Sequence, residues 1–357
     1  DVAVVGMEAT GVYWKPVFYP LEDLFDELWL VNASHVKNVP GRKTDMSDAE
    51  WLADVAAHGM VRPSFVPPPP IRALRELTRY RKTQVTARGQ EIQRLEKLLQ
   101  DAGIKLSSVA SRVWSKSARA MVEALIEGDA TPEALAELAK GPMRAKIPAL
   151  VEALENCWDS HHSAVARRIL AHIDFLDESI GALSDEISER LRPVEAAVTL
   201  LCTIPGVSTL TAEVIVAETG ADMARFPSAA QLAAWAGVAP ANHESAGKRR
   251  PAGTRQGGRW LRNALIEAAK SASRTKDTYL AAKYRQVARR RGPNKATVAV
   301  AHAIIVAAWH LLTTGETYQD LGGDYFEKRR DPQRQVQHLV RKLAELGYQA
   351  TLEPAAA

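Results

Sequence analysis

The sequence predicts an α/β domain at the N-terminus, followed by a pair of long helices and a mainly α-helical C-terminal domain. Residues 2–5 and 28–31 are short apolar runs separated by a helix-like segment, and this strand–helix–strand order is typical of a parallel α/β sheet. Residues 71–102 and 165–192 carry apolar side chains at heptad spacing, which is typical of long paired helices. Beyond residue 200, apolar helical segments alternate with turns that contain Pro and Gly.

Length and composition limit the class of protein. At 357 residues the chain exceeds what one hydrophobic core usually organises, so we expect two or three domains. Two cysteines do not support a disulfide scaffold, and the first residues lack the pattern of a signal peptide. The longest apolar run, 298–312, is interrupted by two histidines and is too short to cross a bilayer. We therefore expect a cytoplasmic protein without a membrane span, and a pI near 9.0 indicates a polyanionic partner.

The first predicted strand delivers Glu8 at its C-terminal end, where parallel sheets commonly carry their sites. A helix should follow, capped by Thr10 and broken or kinked by Pro16 and Pro20.

Two further acids, Asp45 and Asp48, lie three residues apart at the start of the next predicted helix, which places both carboxylates on one face. Like charges this close are costly unless a cation separates them, and Mg²⁺ is the hard divalent ion that suits them. The alternative is structural, because Asp is favoured at N-caps and in first turns.

Four prolines at 67–70 predict a stiff, extended boundary that ends a first domain of residues 1–65. In the following helix, Val85, Ile92, Leu95 and Leu99 form an apolar seam.

The helix at 165–192 repeats this pattern, and we expect the two to pair as an antiparallel coiled coil within one chain or between chains. This second domain spans 66–195 and includes a helical insert, 104–158, to which the sequence assigns no chemistry.

The third predicted domain, 196–315, begins with an apolar helix, a Pro-Gly turn and a second apolar helix, a pattern that resembles a helix-hairpin-helix. In that motif, backbone N–H groups at the turn meet a phosphate. Ser208 stands where a second glycine is common, so contact with DNA and ordinary helix packing are both open. The tail, 316–357, is expected to be peripheral.

A glycine-rich basic loop, 242–259, lies within this domain. Between Ser245 and Arg262 there is no acid, and glycine lets the backbone approach a ligand while clustered guanidinium groups suit phosphate. Ser245 could be a nucleophile there; the alternative is a solvated basic loop. The six basic residues of this stretch are Lys248, Arg249, Arg250, Arg255, Arg259 and Arg262.

Together, the segments 7–14, 43–49, 204–207 and 237–240, the last followed by Ser245 and the basic loop, resemble the DEDD transposases of the "one-ten" insertion-sequence group. That family joins a RuvC-like (RNase H-like) domain, a coiled coil and a C-terminal serine domain, and the resemblance covers nearly the whole chain.

By motif, Glu8, Asp45 and Asp48 match the second, third and fourth acids of the family, and the resemblance implies that they hold Mg²⁺. The first acid, which the family carries on an earlier strand, is absent, and Asp1 is a poor substitute because it lies too close to Glu8. We therefore expect a RuvC-like domain that is N-terminally incomplete or completed from elsewhere.

The resemblance also implies DNA strand exchange. Ser245 would attack a phosphodiester and form a phosphoserine link, assisted by Mg²⁺, while the basic residues neutralise the phosphate. It also implies a bridge RNA that guides the enzyme to donor and target DNA. Because the two domains are far apart in the sequence, we expect a composite site and a homo-oligomer (dimer or tetramer). Two alternatives stay open: a metal nuclease of Holliday-junction type in which Ser245 only binds phosphate, and a truncated copy that binds nucleic acid without cutting it.

Overall fold

The computed structural model describes residues 2–32, 45–109, 114–128, 131–241, 244–245, 247–249, 253–254, 257–329 and 332–351. It divides into two compact units, one formed by Asp1–Pro70 with Ala224–Pro227 and the other by Ile71–Met223 with Ser228–Ala357. The finer predicted boundaries at 195 and 315 stay predictions. Arg250, Arg255 and the part of the 43–49 motif before Asp45 lie outside the described residues, as do the side chains of Asp45, Ser245 and Arg249.

A parallel pair of strands forms the sheet of the first unit, and it confirms the predicted strand–helix–strand order. β1 (Val5–Glu8) pairs with β2 (Leu28–Val31) in a register that sets Glu8 opposite Val31. β1 begins three residues later than the apolar run suggested, because its hydrogen bonds to the second strand start at Val5, whose N–H donates to the Glu27 carbonyl at 2.9 Å.

The helix between the strands, α1 (Lys15–Leu21), is shorter than predicted, and Trp14 rather than Thr10 occupies its N-cap position. Pro16 lies in the first turn, where a missing N–H costs nothing, and Pro20 lies inside the last turn. Phe18 is the side chain that α1 buries.

The next helix, α2 (Asp45–Ala57), begins at the first of the two paired acids, as predicted. It packs against β1 through Leu52, whose Cγ would lie 3.8 Å from a Cβ placed on Gly6. Val31, Val55 and Val61 form the small core beneath it.

Helices dominate the second unit. In chain order the remaining helices are α3 (Pro69–Asp101), α4 (Leu106–Val109), α5 (Lys116–Glu127), α6 (Pro132–Glu137), α7 (Ile147–Ala153), α8 (Ser160–Leu191), α9 (Glu195–Cys202), α10 (Thr209–Thr219), α11 (Ala229–Trp235), α12 (Arg259–Ala272), α13 (Tyr279–Arg291), α14 (Pro293–Thr314), α15 (Tyr325–Lys328) and α16 (Pro332–Glu345). α3 begins inside the proline run, since proline is favoured in a first turn.

The long helices α3 and α8 run antiparallel within the chain. Arg81 donates to Ser184 at 3.5 Å, Arg88 pairs with Asp177, and Glu91 accepts from His172 at 3.1 Å, so positions rise along one helix as they fall along the other. Ile173, Leu176 and Ile187 of the predicted α8 seam are buried, and the polar contacts lie beside them. Supercoiling of the pair stays a prediction.

Along the predicted seam of α3, Leu95 and Leu99 are buried but Val85 is 43% exposed. Buried polar residues of α3, Thr78 and Arg81, face the helices of the second unit instead.

The insert closes the far end of this helix pair with its own core. Met121, Leu135 and Leu150 are fully buried and belong to one apolar cluster with Leu99 and Leu170 of the long helices. Arg119 of α5 also donates to Asp174 of α8 at 2.8 Å, and this hydrogen bond holds the pKa of Asp174 below its usual value.

α14 is the central helix of the C-terminal part, and it packs against α9, α11, α12 and α13. It is longer than the apolar run suggested, and by length and composition alone it could cross a membrane. In its most apolar window 44% of the residues are buried against neighbouring helices, as in the core helix of a globular protein.

The segment after α14 is not peripheral at its start. The Asp320 carboxylate accepts from the backbone N–H of Tyr279 at 2.9 Å, at the first residue of α13, and the Tyr318 N–H donates to Thr203 Oγ1 at 3.0 Å. Tyr325 also packs edge-on against Tyr279.

Candidate functional site

The predicted basic loop contains a short β-hairpin. β3 (Glu244–Ser245) pairs antiparallel with β4 (Lys248–Arg249), and the register places Lys248 opposite Ser245. Gly247, with φ +74, lies in the two-residue turn between them, where a positive φ suits the twist of a tight hairpin. Ser245 therefore occupies the last strand position before the turn.

The base of the hairpin is closed by backbone contacts. Pro240 and Thr254 form an isolated antiparallel bridge, and the Ala241 N–H donates to the Gly253 carbonyl at 3.0 Å. These contacts hold the two ends of the basic segment together.

Gly257 anchors the return of the chain to α12. A Cβ at this position would lie 2.4 Å from the Gly237 nitrogen and 2.6 Å from the Trp235 carbonyl oxygen, which is closer than atoms can approach. Glycine is therefore required here by close approach of two backbones. At Gly258, by contrast, a Cβ would meet nothing within 4 Å.

α12, which follows, separates its residues onto distinct faces. Leu261, Leu265 and Ala269 are fully buried. Arg259, Arg262, Asn263, Ile266 and Lys270, at helical spacing, line a cavity of about 560 Å³ whose other wall is the first turn of α14.

The turn of the predicted helix-hairpin-helix packs against this same helix. Gly206, at φ +86, has room for no Cβ, because Ala272 N and Ala268 O of α12 would lie 2.5 Å and 2.6 Å away. Ile204 and Val207 are buried beside it. At the Pro-Gly turn itself, the structure therefore favours helix packing over contact with DNA, while Ser208 caps α10 and is exposed.

The predicted acids lie in the first unit. Glu8 is half-buried at the C-terminal end of β1, and Asp48 is exposed in the first turn of α2, one turn before the Leu52 contact with β1. Hard oxygen ligands of this kind suit Mg²⁺.

Among the described side chains, a set that excludes Asp45, one group of three potential metal ligands converges: Asp159, His161 and His162. Asp159 is the N-cap of α8, accepts from the backbone N–H groups of both histidines, and forms a capping box with His162. Helix capping accounts for this arrangement.

Sequence reasoning missed a set of buried ion pairs between α3 and α10. Glu218 is 1% exposed and accepts two hydrogen bonds from Arg79, at 2.7 and 2.8 Å, while Arg81 pairs with Glu213. These ion pairs could not be recognised from helical spacing, because charged residues on a helix usually indicate a face that is exposed to solvent.

The acids beside the parallel strand pair and the basic hairpin of the helical unit are the two features expected of an insertion-sequence transposase. Comparison with known proteins identifies the family. The DEDD transposase profile matches residues 1–104, and the profile of the IS116/IS110/IS902 family of transposases matches residues 198–285, so that together they cover more than half of the chain. The chain belongs to this family of transposases.

Curated relatives agree with this assignment. The transposase for insertion sequence element IS1111A of Coxiella burnetii is 28% identical over 297 residues, which is 81% of this chain and 72% of that protein. A protein of Sinorhizobium fredii named as a transposase is 29% identical and covers 79% of this chain, which spans 65% of its length. A protein of Pseudomonas aeruginosa named as a family 20 transposase is 26% identical over 88% of this chain and 86% of its own.

Proposed function

We propose that this chain is the DNA recombinase of an insertion sequence, in which Ser245 cuts and rejoins DNA through a covalent phosphoserine intermediate. Under this proposal residues 1–65 belong to a RuvC-like domain, 66–195 to a coiled coil with its insert, and 196–315 to a serine transposase domain. The single observation that carries the proposal is the hairpin, since its register sets Lys248 opposite Ser245 beside the turn.

In the proposed step, the Ser245 hydroxyl attacks the phosphorus of a phosphodiester. A bond forms between the serine oxygen and phosphorus, and the bond between phosphorus and one deoxyribose oxygen breaks. The leaving deoxyribose oxygen takes up a proton as the serine hydroxyl loses one. Lys248, Arg249, Arg250 and Arg255 would balance the charge of the phosphate. The reverse attack by a new deoxyribose hydroxyl restores the free serine and joins the strands.

Glu8, Asp45 and Asp48 would hold a divalent metal, Mg²⁺ in this proposal, which supplies Lewis-acid stabilisation of the charge on the reacting phosphate. Half-burial of Glu8 at a strand end, with Asp48 in the first turn of a helix packed on that strand, supports a role for these acids as hard oxygen ligands.

The family assignment also supports DNA as the substrate, and the proposal adds a guide (bridge) RNA and assembly into a dimer or tetramer. The basic surface suits both nucleic acids. Light scattering of the protein with and without RNA would measure the assembly.

The decisive experiment detects a covalent protein–DNA adduct on the ends of the element, with its RNA and Mg²⁺, by denaturing gel electrophoresis. We expect the wild-type protein to form the adduct and Ser245→Ala to form none. Ser271→Ala is the matched control, because Ser271 is exposed on α12 of the same domain. An adduct that persists in Ser245→Ala would refute the proposed nucleophile.

A second candidate is a metal nuclease of Holliday-junction type. The half-buried carboxylate of Glu8 and the exposed carboxylate of Asp48 favour it, because such groups can hold a metal ion that activates water. In that case Asp48→Ala would stop strand cleavage while Ser245→Ala only weakened it, and no adduct would form. A protein that only binds nucleic acid would show salt-dependent binding without strand breakage.

A further inference from the structure

We propose that the groove between α12 and the first turn of α14 is a second binding site for the phosphodiester backbone, which extends the nucleic-acid path beyond the hairpin. This inference rests on the proposed function, because it assigns the groove to the same nucleic acid. It adds Lys270, Asn263 and Asn294 to the residues that contact the ligand.

The shape of the groove suits an extended polyanion. Its volume is about 560 Å³, and its walls carry Arg259, Arg262, Asn263 and Lys270 on one side and Asn294 on the other. Three cations and two amides of this lining can donate hydrogen bonds to phosphate oxygens, and Ile266 and Val298 line the groove between them.

The cations form a row along one face of α12. Arg259, Arg262 and Lys270 are separated by three and eight residues, so they recur on one side of the helix and span about 16 Å along its axis. One DNA strand carries a phosphate about every 3.4 Å of helix rise, so this length faces several consecutive phosphates.

These cations carry charge that no described carboxylate balances. In the described part of the chain neither Arg262 nor Lys270 forms an ion pair, and Arg259 lies over the ring of Trp260 at 4.9 Å. The acid of α12, Glu267, does not line the groove and accepts from Lys82 of α3 at 2.9 Å. The acid of this helix is therefore paired with a lysine of α3 and not with the cations of the groove.

The first turn of α14 adds to the positive potential of the groove. Gly292 occupies its N-cap position without a side-chain cap, and the partial positive charge of a helix N-terminus favours anions. The exposed side chains of Arg291 and Lys295 flank this turn. With the cationic face of α12 opposite, the two walls present charge of one sign.

The groove begins where the chain returns from the hairpin segment to α12. Gly257, which closes the hairpin segment against Gly237, also lines the groove. A strand held at the hairpin would therefore meet Arg259 and Arg262 next, and Lys270 last.

The test measures affinity and its salt dependence with the full-length protein. Fluorescence anisotropy would be recorded at 50–300 mM salt with two labelled probes of about 30 nucleotides, a duplex DNA and a single-stranded RNA. The variants are Arg262→Ala/Lys270→Ala and, because Arg262 is half-buried, Lys270→Gln alone, which changes an exposed side chain. The control, Lys97→Ala/Arg168→Ala, removes the same charge from exposed positions of α3 and α8.

We expect the groove double variant to bind at least one probe on the order of tenfold more weakly near 150 mM salt, with a salt slope lower by about 2, since each phosphate contact contributes about 0.9. Lys270→Gln should lower the slope by about 1, and the control should match wild type. Weaker binding of the DNA probe by the groove variants assigns the groove to DNA. Weaker binding of the RNA probe alone assigns it to RNA.

Equal losses in the control and groove variants would overturn the groove as a site and indicate diffuse charge. Unchanged slopes in both groove variants, with a wild-type protein that still forms the Ser245 adduct, would also overturn it while leaving the proposed function standing. A wild-type protein that binds neither probe would overturn both.

Discussion

Arg81 of α3 and Glu213 of α10 form an ion pair in which the two side chains are only 7% and 6% exposed. Arg81 is also held by Ser184 of α8, so one guanidinium joins three helices. A charge in this position is stable only while its partner is present.

Glu213→Ala should therefore destabilise the second unit by about 3–5 kcal/mol, because it leaves the Arg81 guanidinium buried and unpaired. Thermal unfolding followed by circular dichroism measures the effect. Glu189→Ala, which removes a pair with Arg192 at the surface, is the control and should change stability by less than about 1 kcal/mol. Equal shifts for the two variants would contradict the structural role of the buried pair.

Gly206→Ala should lower the free energy of unfolding by about 3–5 kcal/mol. The added methyl group collides with the backbone of α12, and the residue keeps a left-handed φ of +86. Gly128→Ala separates the two effects, because Gly128 has a φ of +89 but open space around its Cβ. It should cost about 1–3 kcal/mol. Chemical denaturation measures the free energy of unfolding of both variants. A smaller loss of stability for Gly206→Ala than for Gly128→Ala would refute the close packing of the Pro-Gly turn against α12.

Gly257→Ala should lower formation of the Ser245 adduct by at least about tenfold, because the methyl group forces the hairpin base away from Gly237. Gly258→Ala, at the next residue, adds its methyl group to open space and should leave the yield close to wild type. The adduct gel measures both. Similar adduct yields from the two variants would show that the close contact between Gly257 and Gly237 does not position the hairpin.

His302 should make stability fall as the pH falls below about 6.5. Burial, and secondarily the charge of Lys283, lowers the pKa of His302 in the folded protein. The unfolded chain, with a His pKa near 6.5, then binds more protons in this range, so stability is present above that pH and is lost as the pH falls through the folded pKa. Thermal midpoints between pH 7.5 and 5 measure this loss. His302→Gln should flatten the profile, and an unchanged slope in that variant would contradict the assignment.

Much of the fold could be predicted because its signals are local. The strand at 28–31 is a bounded apolar run, α2 begins at Asp45, and the two long helices follow their apolar periodicity to within a few residues of their observed ends. Gly6 lies inside β1 although it bounds the apolar run, because pairing with β2 sets that strand.

The remaining features depend on contacts between distant parts of the chain. The hairpin at Ser245 has no periodic pattern, and its stem is set by the pairing of Pro240 with Thr254. Glu213 and Glu218 read as solvated charges because their arginine partners are more than 130 positions away. Composition could indicate the basic segment as a site. The groove could not be predicted, because it forms only where α12 packs against α14.

Main-chain contacts at Gly257 and Gly206 hold α12 at its start and near its end. Its position is therefore set without the five residues of α12 that line the groove, at 259, 262, 263, 266 and 270. That face can be randomised while the scaffold is kept, so affinity for nucleic acid and thermal stability should vary independently across such a library. For engineering, α12 offers an exchangeable recognition surface on a fixed helix.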